Sequence, residues 1–420
     1  MQKAKLAYWK KVVILLCLGW MSIWIYRTML TPIYDEIQVT IGTYSGLTMG
    51  MISSMYFMGY VFTQIPGGIL MDKVGKKVVL IPGFILFALG IIVIGFASNI
   101  TMMFVGSLMA GIGTGTYYSG AFSLSGENVP AKYKYFATAI INNGCAIGMI
   151  VGYLSGGLLV KSAGLPWQSM VFGVAFLVVL VTISFAVGLQ NDKPSKKKQN
   201  EVLQSVQDAT QRNLLPREQQ STSVDYKSFF ELRMIGTYFF YFSTCYGYYM
   251  IVTWLPSFLE TERGVEGSAA SVYACIVALV SIPGAMFLGK ILDKFSQKRV
   301  TMMTWLQCGS AIMIILISNF SIMWALLLCL GLYGLCGKQA IDPLIVPHVS
   351  GAISDKAKTT GLGIFNFFGM SGSILAPSIT GYAEDIFGSK IYGFYIAVLL
   401  LVISSIFFWF TNKKAVANEI

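Results

Sequence analysis

The sequence predicts an all-α integral membrane protein with twelve transmembrane helices in two pseudo-symmetric six-helix bundles. Composition, segment length and an internal repeat carry this expectation. Of 420 residues, 55% are hydrophobic and only 12% are charged, about half the charge of a typical soluble domain. Lipid can solvate such a surface; water cannot. A bilayer core of about 30 Å needs roughly 20 helical residues to cross it. Segments of that kind occur at 12–33, 46–66, 78–97, 102–124, 136–160 and 167–189. Six more follow at 234–258, 268–289, 300–317, 322–345, 360–382 and 391–411. They are apolar all round, whereas the strands of a spanning barrel alternate.

The two sets of six repeat. Gly68-Ile69-Leu70-Met71-Asp72-Lys73 after the second segment matches Gly289-Lys290-Ile291-Leu292-Asp293-Lys294 after the eighth, 221 residues later. Asn142, Gly148 and Gly157 match Asn366, Gly372 and Gly381 at an offset of 224. This divides the chain into an N-terminal bundle (1–189), a linker rich in Lys, Gln, Ser and Asn (190–231) and a C-terminal bundle (232–420). With the N-terminus in the cytoplasm, 25 Lys and Arg residues fall on the inner side. Only Lys161, Arg263 and Lys390 fall on the outer side, and Arg27 and Lys338 lie within segments. Basic residues favour the cytoplasmic side, so both termini and the linker are expected there, in a cell membrane.

Several function classes are excluded at this level. The net charge of +11 sits in short clusters at segment ends, not in the continuous basic stripe of a nucleic-acid-binding surface. The seven cysteines, Cys17, Cys145, Cys245, Cys275, Cys308, Cys329 and Cys336, are scattered through apolar segments. They form neither a disulfide framework nor a metal-ligand spacing. One histidine, His348, leaves little room for histidine-based catalysis, and no nucleophile–base set is visible. No phosphate-binding GxxxxGK[ST] loop is present. Neither a cofactor nor a metal is expected, and the first apolar run is too long for a cleavable signal core.

Gly68-x-Leu70-x-Asp72-Lys73-x-Gly75-Lys76-Lys77 resembles the cytoplasmic signature of the major facilitator superfamily. The resemblance implies that Asp72 and Lys73 form a cytoplasmic latch, with Asp72 near Thr359 and Thr360. It implies the same for Asp293 and Lys294 in the second half. Phe57, Gly59, Tyr60 and Gln64-Ile65-Pro66-Gly67-Gly68, with Arg27 and Trp254-Leu255-Pro256-Ser257-Phe258-Leu259 before Arg263-Gly264, look like the anion:cation symporter branch. That branch carries organic anions and phosphate esters. Three positions depart from it: Tyr26 stands where an acid often precedes the arginine, Ser107 where an arginine is usual, and Thr114 where an acid is frequent. Gly148-x-x-x-Gly152-x-x-x-Gly156-Gly157 resembles an antiporter signature without its proline, and is equally the spacing of close helix packing.

Charges inside a membrane are costly and mark functional positions by default. Trp20, Trp24 and Arg27 lie at i, i+4 and i+7 on one helical face. A guanidinium there is suited to hold a carboxylate bidentately; the competing reading is snorkelling toward the headgroups near Pro32. Lys338 and Asp342, four apart, neutralise one another. They serve either as a second anion contact with a switchable partner or as a structural pair near a helix end. Tyr241 and Tyr248 in the seventh segment, Trp24 and Asn366 complete the expected substrate wall. Glu127 reads as a solvated helix end. The resulting expectation is a monomeric secondary transporter of a small organic anion, with Asp342 in coupling; the driving partner is a proton, a sodium ion or a counter-anion, or transport is uncoupled. The alternatives are a proton-coupled exporter of drugs or metabolites, or a non-transporting sensor on the same scaffold.

Overall fold

The computed structural model describes residues 2–130, 133–190, 229–294, 298–353 and 358–412; the side chains of 2–7, 72, 134–136, 284–294 and 358–360 lie outside the description. Among the described residues the chain forms twelve helical rods and no strand. The first half contains α1 (Gln2–Met29), α2 (Gly46–Val74), α3 (Lys76–Gly95), α4 (Ile100–Thr114 and Tyr117–Asn128), α5 (Lys134–Leu154, then a π-helix Ser155–Ser162) and α6 (Trp167–Gly188). The second contains α7 (Leu232–Arg263), α8 (Ser268–Lys294), α9 (Arg299–Asn319), α10 (Met323–Cys336 and Lys338–Ala352), α11 (Lys358–Phe387) and α12 (Ile391–Thr411). Connections within each half are short, so consecutive rods run antiparallel there; the start of α2 meets the end of α11 at Gly46 and Asp385, so both described ends of the chain lie on one face, here the termini face. The opposite face is the far face.

Eight rods are long and apolar enough to cross a membrane by composition alone among the described residues. Of the other four, α4 is broken at Gly115–Thr116 and α8 is described with its side chains only over Ser268–Pro283, an apolar stretch, whereas α2 and α7 lie at the central seam, where protein replaces lipid. Helix α7 is the clearest case: it is buried without interruption from Ser243 to Leu259, so its tyrosines never meet hydrocarbon.

The repeat extends to the breaks in the rods. Helix α4 is interrupted at Gly115–Thr116 and α10 at Gly337, 222 residues apart. Two expectations change here. One of the two readings of the Lys338/Asp342 pair sets it near a helix end, ahead of Pro343 and Pro347. Both prolines lie inside a continuing helix that runs to Ala352, so the pair sits at mid-rod, beside the glycine break. Likewise the helical path that starts with α1 does not stop at Pro32. A 3-10 turn (Thr31–Ile33) carries the chain into a short helix, Tyr34–Ile41, which places Arg27 well below the far face.

Small residues set the helix spacing. A side chain at Gly144, Gly148, Gly152 or Gly156 would collide with α1: the added Cβ would stand 2.8 Å from Trp24 Cβ at Gly148 and 2.8 Å from Met29 O at Gly156. The four-residue glycine spacing is therefore helix packing in this structure, while Gly157 meets Ser271 of α8.

The two halves are joined tightly toward the far face. Asp385 of α11 accepts from the backbone N–H groups of Gly46 (2.6 Å) and Leu47 (2.8 Å), the first residues of α2, where a carboxylate complements the helix dipole. Ser54 donates to Ile374 O at 2.6 Å and shares a hydrogen with Ser378 at 2.7 Å. Tyr153 donates to Val252 O at 2.7 Å. Lys161 at the end of α5 pairs with Glu260 of α7, with Glu36 at 3.6 Å. All three far-face cations are engaged within the protein, since Lys390 pairs with Glu384 and Arg263 donates to Ser318 O. Glu260→Gln is expected to loosen this closure. Labelling of Cys275, buried on the α5–α8 seam, by an impermeant maleimide should accelerate about tenfold, the effect of roughly 1.4 kcal/mol. An unchanged rate would show that the bridge does not hold the halves together.

Candidate functional site

Arg27 is the centre of the arrangement. It is 7% exposed, which excludes snorkelling. Its guanidinium carbon stands 4.6 Å from the Tyr60 ring centroid, 4.9 Å from Trp24, 5.2 Å from Tyr56, 5.3 Å from Phe57 and 5.7 Å from Trp20. Such contacts are worth about 2 kcal/mol or more each when desolvated, which helps this charge persist without an ionic partner. Among the described residues no carboxylate lies within ion-pair distance of Arg27. Its Nε donates to the Tyr56 hydroxyl at 3.0 Å, and its Nη2 is buried with no hydrogen-bond partner. A cationic fork with an unused donor is suited to a planar anion.

The three departures from the anion:cation symporter pattern turn out to be spatially related. The Tyr26 hydroxyl donates to Ser107 at 3.2 Å. Thr114 bonds the Tyr56 hydroxyl at 2.8 Å and donates to Ala110 O at 2.9 Å. Neutral hydroxyls thus occupy the space around Arg27 where ionic groups were usual, and they leave its charge uncompensated.

Lys338 begins the second part of α10, directly after Gly337. Its Nζ stands 2.6 Å from Asp342 Oδ2, with side-chain exposures of 12% and 36% for the two partners. Nζ also lies 5.3 Å from the Tyr241 ring, while Asp342 Oδ1 is buried without a partner. A half-helix start at mid-membrane adds the positive end of its dipole to the lysine charge. Tyr249 of α7 and Cys145 of α5 are within electrostatic reach of both Arg27 and Lys338, so the two cations flank one region between the halves.

The remaining expected residues fall as follows. Trp24 and Tyr248 meet edge to face at 6.2 Å, and Gln339 donates to the Tyr248 hydroxyl at 3.3 Å. Tyr241 is buried and stacks on Phe365 at 4.5 Å. Asn366 does not point at either cation's polar atoms; its Nδ2 donates to Gln64 Oε1 at 2.5 Å, joining α11 to α2. Asn142, its match in the repeat, is exposed. Glu127 is not simply solvated, because it pairs with Lys76. Lys73 is exposed. The side chains of Asp72, Asp293 and Lys294, together with Thr359 and Thr360, lie outside the described residues.

Sequence reasoning missed Tyr56, and placed Tyr60 and Phe57 in a motif but not at the site; Tyr249 was legible as one of the tyrosines of the seventh segment. A signal existed: Tyr56, Tyr60 and Gln64 recur every fourth residue in an otherwise apolar segment, a polar stripe on one helix face. Two small cavities border the cations. One of about 20 Å³ lies between Arg27, Tyr26, Thr31, Ser53 and Tyr56; the other, of about 10 Å³, lies by Lys338, Gln339, Tyr248 and Ser281. Either holds about one water molecule, whereas small-molecule sites are of the order of 300 Å³ or more. Neither cavity as it stands admits a small organic molecule.

A duplicated twelve-helix bundle with unpaired positive charge at its central seam defines a membrane transporter. The chain belongs to the Major Facilitator Superfamily, whose profile matches residues 12–377 and 237–419. It is 26% identical to the benzoate transport protein of Acinetobacter baylyi, over 80% of this chain and 75% of that one. It is 20% identical to a putative tartrate transporter of Agrobacterium vitis (89% and 87%) and 24% identical to the 3-(3-hydroxy-phenyl)propionate transporter of Escherichia coli (80% and 77%). Among solved structures, a bacterial homolog of the human lysosomal transporter Spinster, inward-facing and unoccupied, matches with a TM-score of 0.73 at 14% identity. The match covers 98% of each chain.

Proposed function

We propose that this protein moves a small organic carboxylate across a cell membrane by alternating access, the bundles 1–189 and 232–420 rocking about the region between Arg27 and Lys338. The observation that carries the reading is Arg27: a buried guanidinium without a counter-ion and with Nη2 unused. The named substrates of the similar transporters, benzoate, tartrate and 3-(3-hydroxy-phenyl)propionate, are all of carboxylic acids. Arg27 is the main counter-charge and Lys338 the second. Trp24, Tyr241 and Tyr248 form the wall, and Asn366 becomes available when α2 and α11 part. The termini face is cytoplasmic, in keeping with the 25-to-3 basic asymmetry. Asp72, Lys73, Asp293 and Lys294 latch that face, the linker 190–231 joins the bundles there, and the protein works as a monomer. The co-moving cation is a proton or a sodium ion.

The test is counterflow in proteoliposomes containing the full chain, loaded in turn with unlabelled benzoate, tartrate or cis,cis-muconate. Transient accumulation of the labelled anion is expected for at least one of them. Exchange of none of the three, alongside uptake of organic cations, would overturn the assignment.

A further inference from the structure

The ends of α7, α9, α10 and α12 meet at one corner of the termini face, well away from Arg27 and Lys338. Arg233 lies in the first turn of α7 and Arg299 opens α9, while His348 lies one turn before the end of α10 and Asn412 directly follows α12. Arg233 Nε donates to Asn412 Oδ1 at 3.0 Å, and Asn412 Nδ2 donates to Phe408 O at 3.1 Å. His348 packs edge to face on Phe408, 5.7 Å between centroids. Its ring is within electrostatic reach of both Arg233 and Arg299, with Asn412 beside it. Deeper in the bundle the same helices are tied by Gln307 of α9, which accepts from Thr244 of α7 at 2.6 Å and donates to Ser404 of α12 at 2.7 Å.

Three features suit this corner to an anion. His348 is 8% exposed, yet its Nε2 is buried with no hydrogen-bond partner. Among the described residues neither arginine forms an ion pair, and the one described carboxylate at this end of the second half, Glu231, is exposed. The third feature comes from the repeat. In the first half Lys76, at the start of α3, pairs with Glu127 near the end of α4. The positions 222 and 221 residues further on are Lys298 and His348, so an imidazole stands in the second half where the first has its carboxylate.

The donor set favours a phosphate. Guanidinium groups bind phosphate oxygens in pairs, a neutral imidazole protonated on Nε2 donates one bond, and the starts of α7 and α9 add their positive dipole ends. Donors from three separate helices match the three acceptor oxygens of a phosphate group better than the two of a planar carboxylate. Leu232 and Phe410 beside the corner are exposed apolar side chains, against which the chains of a lipid can lie. A lipid headgroup and a free phosphate share the chemistry that the corner recognises.

We propose that Arg233, Arg299 and His348 form a phosphate-binding site that bridges the ends of α7, α9 and α10. The site stands independently of the carboxylate reading.

The single histidine makes the site directly readable. Full-length protein with a 15N-labelled imidazole is stripped of lipid in dodecyl maltoside. It is then titrated in turn with inorganic phosphate, with short-chain phosphatidylglycerol, and with chloride at matched ionic strength. A saturable displacement of the Nε2 resonance is expected with at least one of the first two and not with chloride. Response to phosphate identifies a free anion; response to phosphatidylglycerol alone identifies a headgroup. The double variant Arg233→Gln/Arg299→Gln should weaken the response at least about tenfold. His348→Glu restores the carboxylate of the first half and should occupy the arginines itself. Its thermal unfolding is therefore expected to be unmoved by either ligand, whereas the wild type should unfold at a higher temperature with the ligand that displaces the resonance. No displacement beyond that of chloride, or one undiminished in the double variant, would overturn the proposal. A ligand-induced thermal shift retained in His348→Glu would do the same.

Discussion

Replacement of Arg27 by methionine is expected to weaken carboxylate binding at least about 30-fold without lowering the thermal stability of the ligand-free protein. The first half of this expectation comes from charge pairing. Truncating one partner of a buried, hydrogen-bonded ion pair costs about 2–5 kcal/mol, and each 1.4 kcal/mol is tenfold in affinity. The second half comes from desolvation. Arg27 carries a buried charge with no carboxylate near it, and apolar residues of similar volume in place of buried ionic groups are often neutral or stabilising. Methionine fills much of the space between Trp20, Trp24, Tyr56, Phe57 and Tyr60, so no large void is left. Arg27→Lys should fall between the two, because a lysine retains the charge and lacks the planar fork. Thermal shift with and without benzoate, together with counterflow, measures both parts. A ligand-induced shift that survives in Arg27→Met would mean that Arg27 does not contact the substrate.

Replacement of Gly381 by valine is expected to hold the far face open and stop transport. Gly381 of α11 lies directly on Gly46 of α2. An added Cβ would stand 2.8 Å from the Leu47 nitrogen and closer still to the Gly46 carbonyl. The neighbour is backbone, which has no rotamer to yield. Overpacking of this kind costs about 1–3 kcal/mol, and here only the closed arrangement bears it. A bias of that size shifts a two-state equilibrium about 5- to 150-fold. A cysteine at Ser54, whose hydroxyl bonds Ile374 and Ser378 across the seam, reports the change. It should be protected from an impermeant maleimide in the otherwise wild-type chain and become reactive with Gly381→Val. Equal labelling and intact counterflow would show that the Gly46–Gly381 contact is not a gate.

Much of the fold is legible in the sequence because membrane insertion is a local property. About twenty apolar residues suffice to define a span, and Arg27, Lys338 and Asp342 stand out because a charge in such a span is expensive wherever it ends up. The repeat at 221–224 residues was visible for the same reason, since close helix packing ties it to particular small residues. Legibility fails where partners come from different helices. Nothing adjacent in the chain says that Tyr56, Phe57 and Tyr60 of α2 enclose a guanidinium on α1, or that Asn366 is bonded to Gln64. Segment ends were also misjudged where apolar periodicity fades before the helix does. Hydropathy placed the tenth segment's end at 345, whereas backbone hydrogen bonding continues to Ala352, and this moved Lys338 from the edge to the middle.

The sequence by itself thus determined the class of protein, its twelve spans in two related halves, and which charged residues enter the membrane, because length, apolarity and charge cost are read one segment at a time. Only the tertiary structure decided that Arg27 is caged by rings and unpaired, that Lys338 is held by Asp342 beside a helix break, and that the far face is closed over both. Those facts depend on which side chains from separate helices come within a few ångströms of one another, and spacing along the chain does not encode that distance.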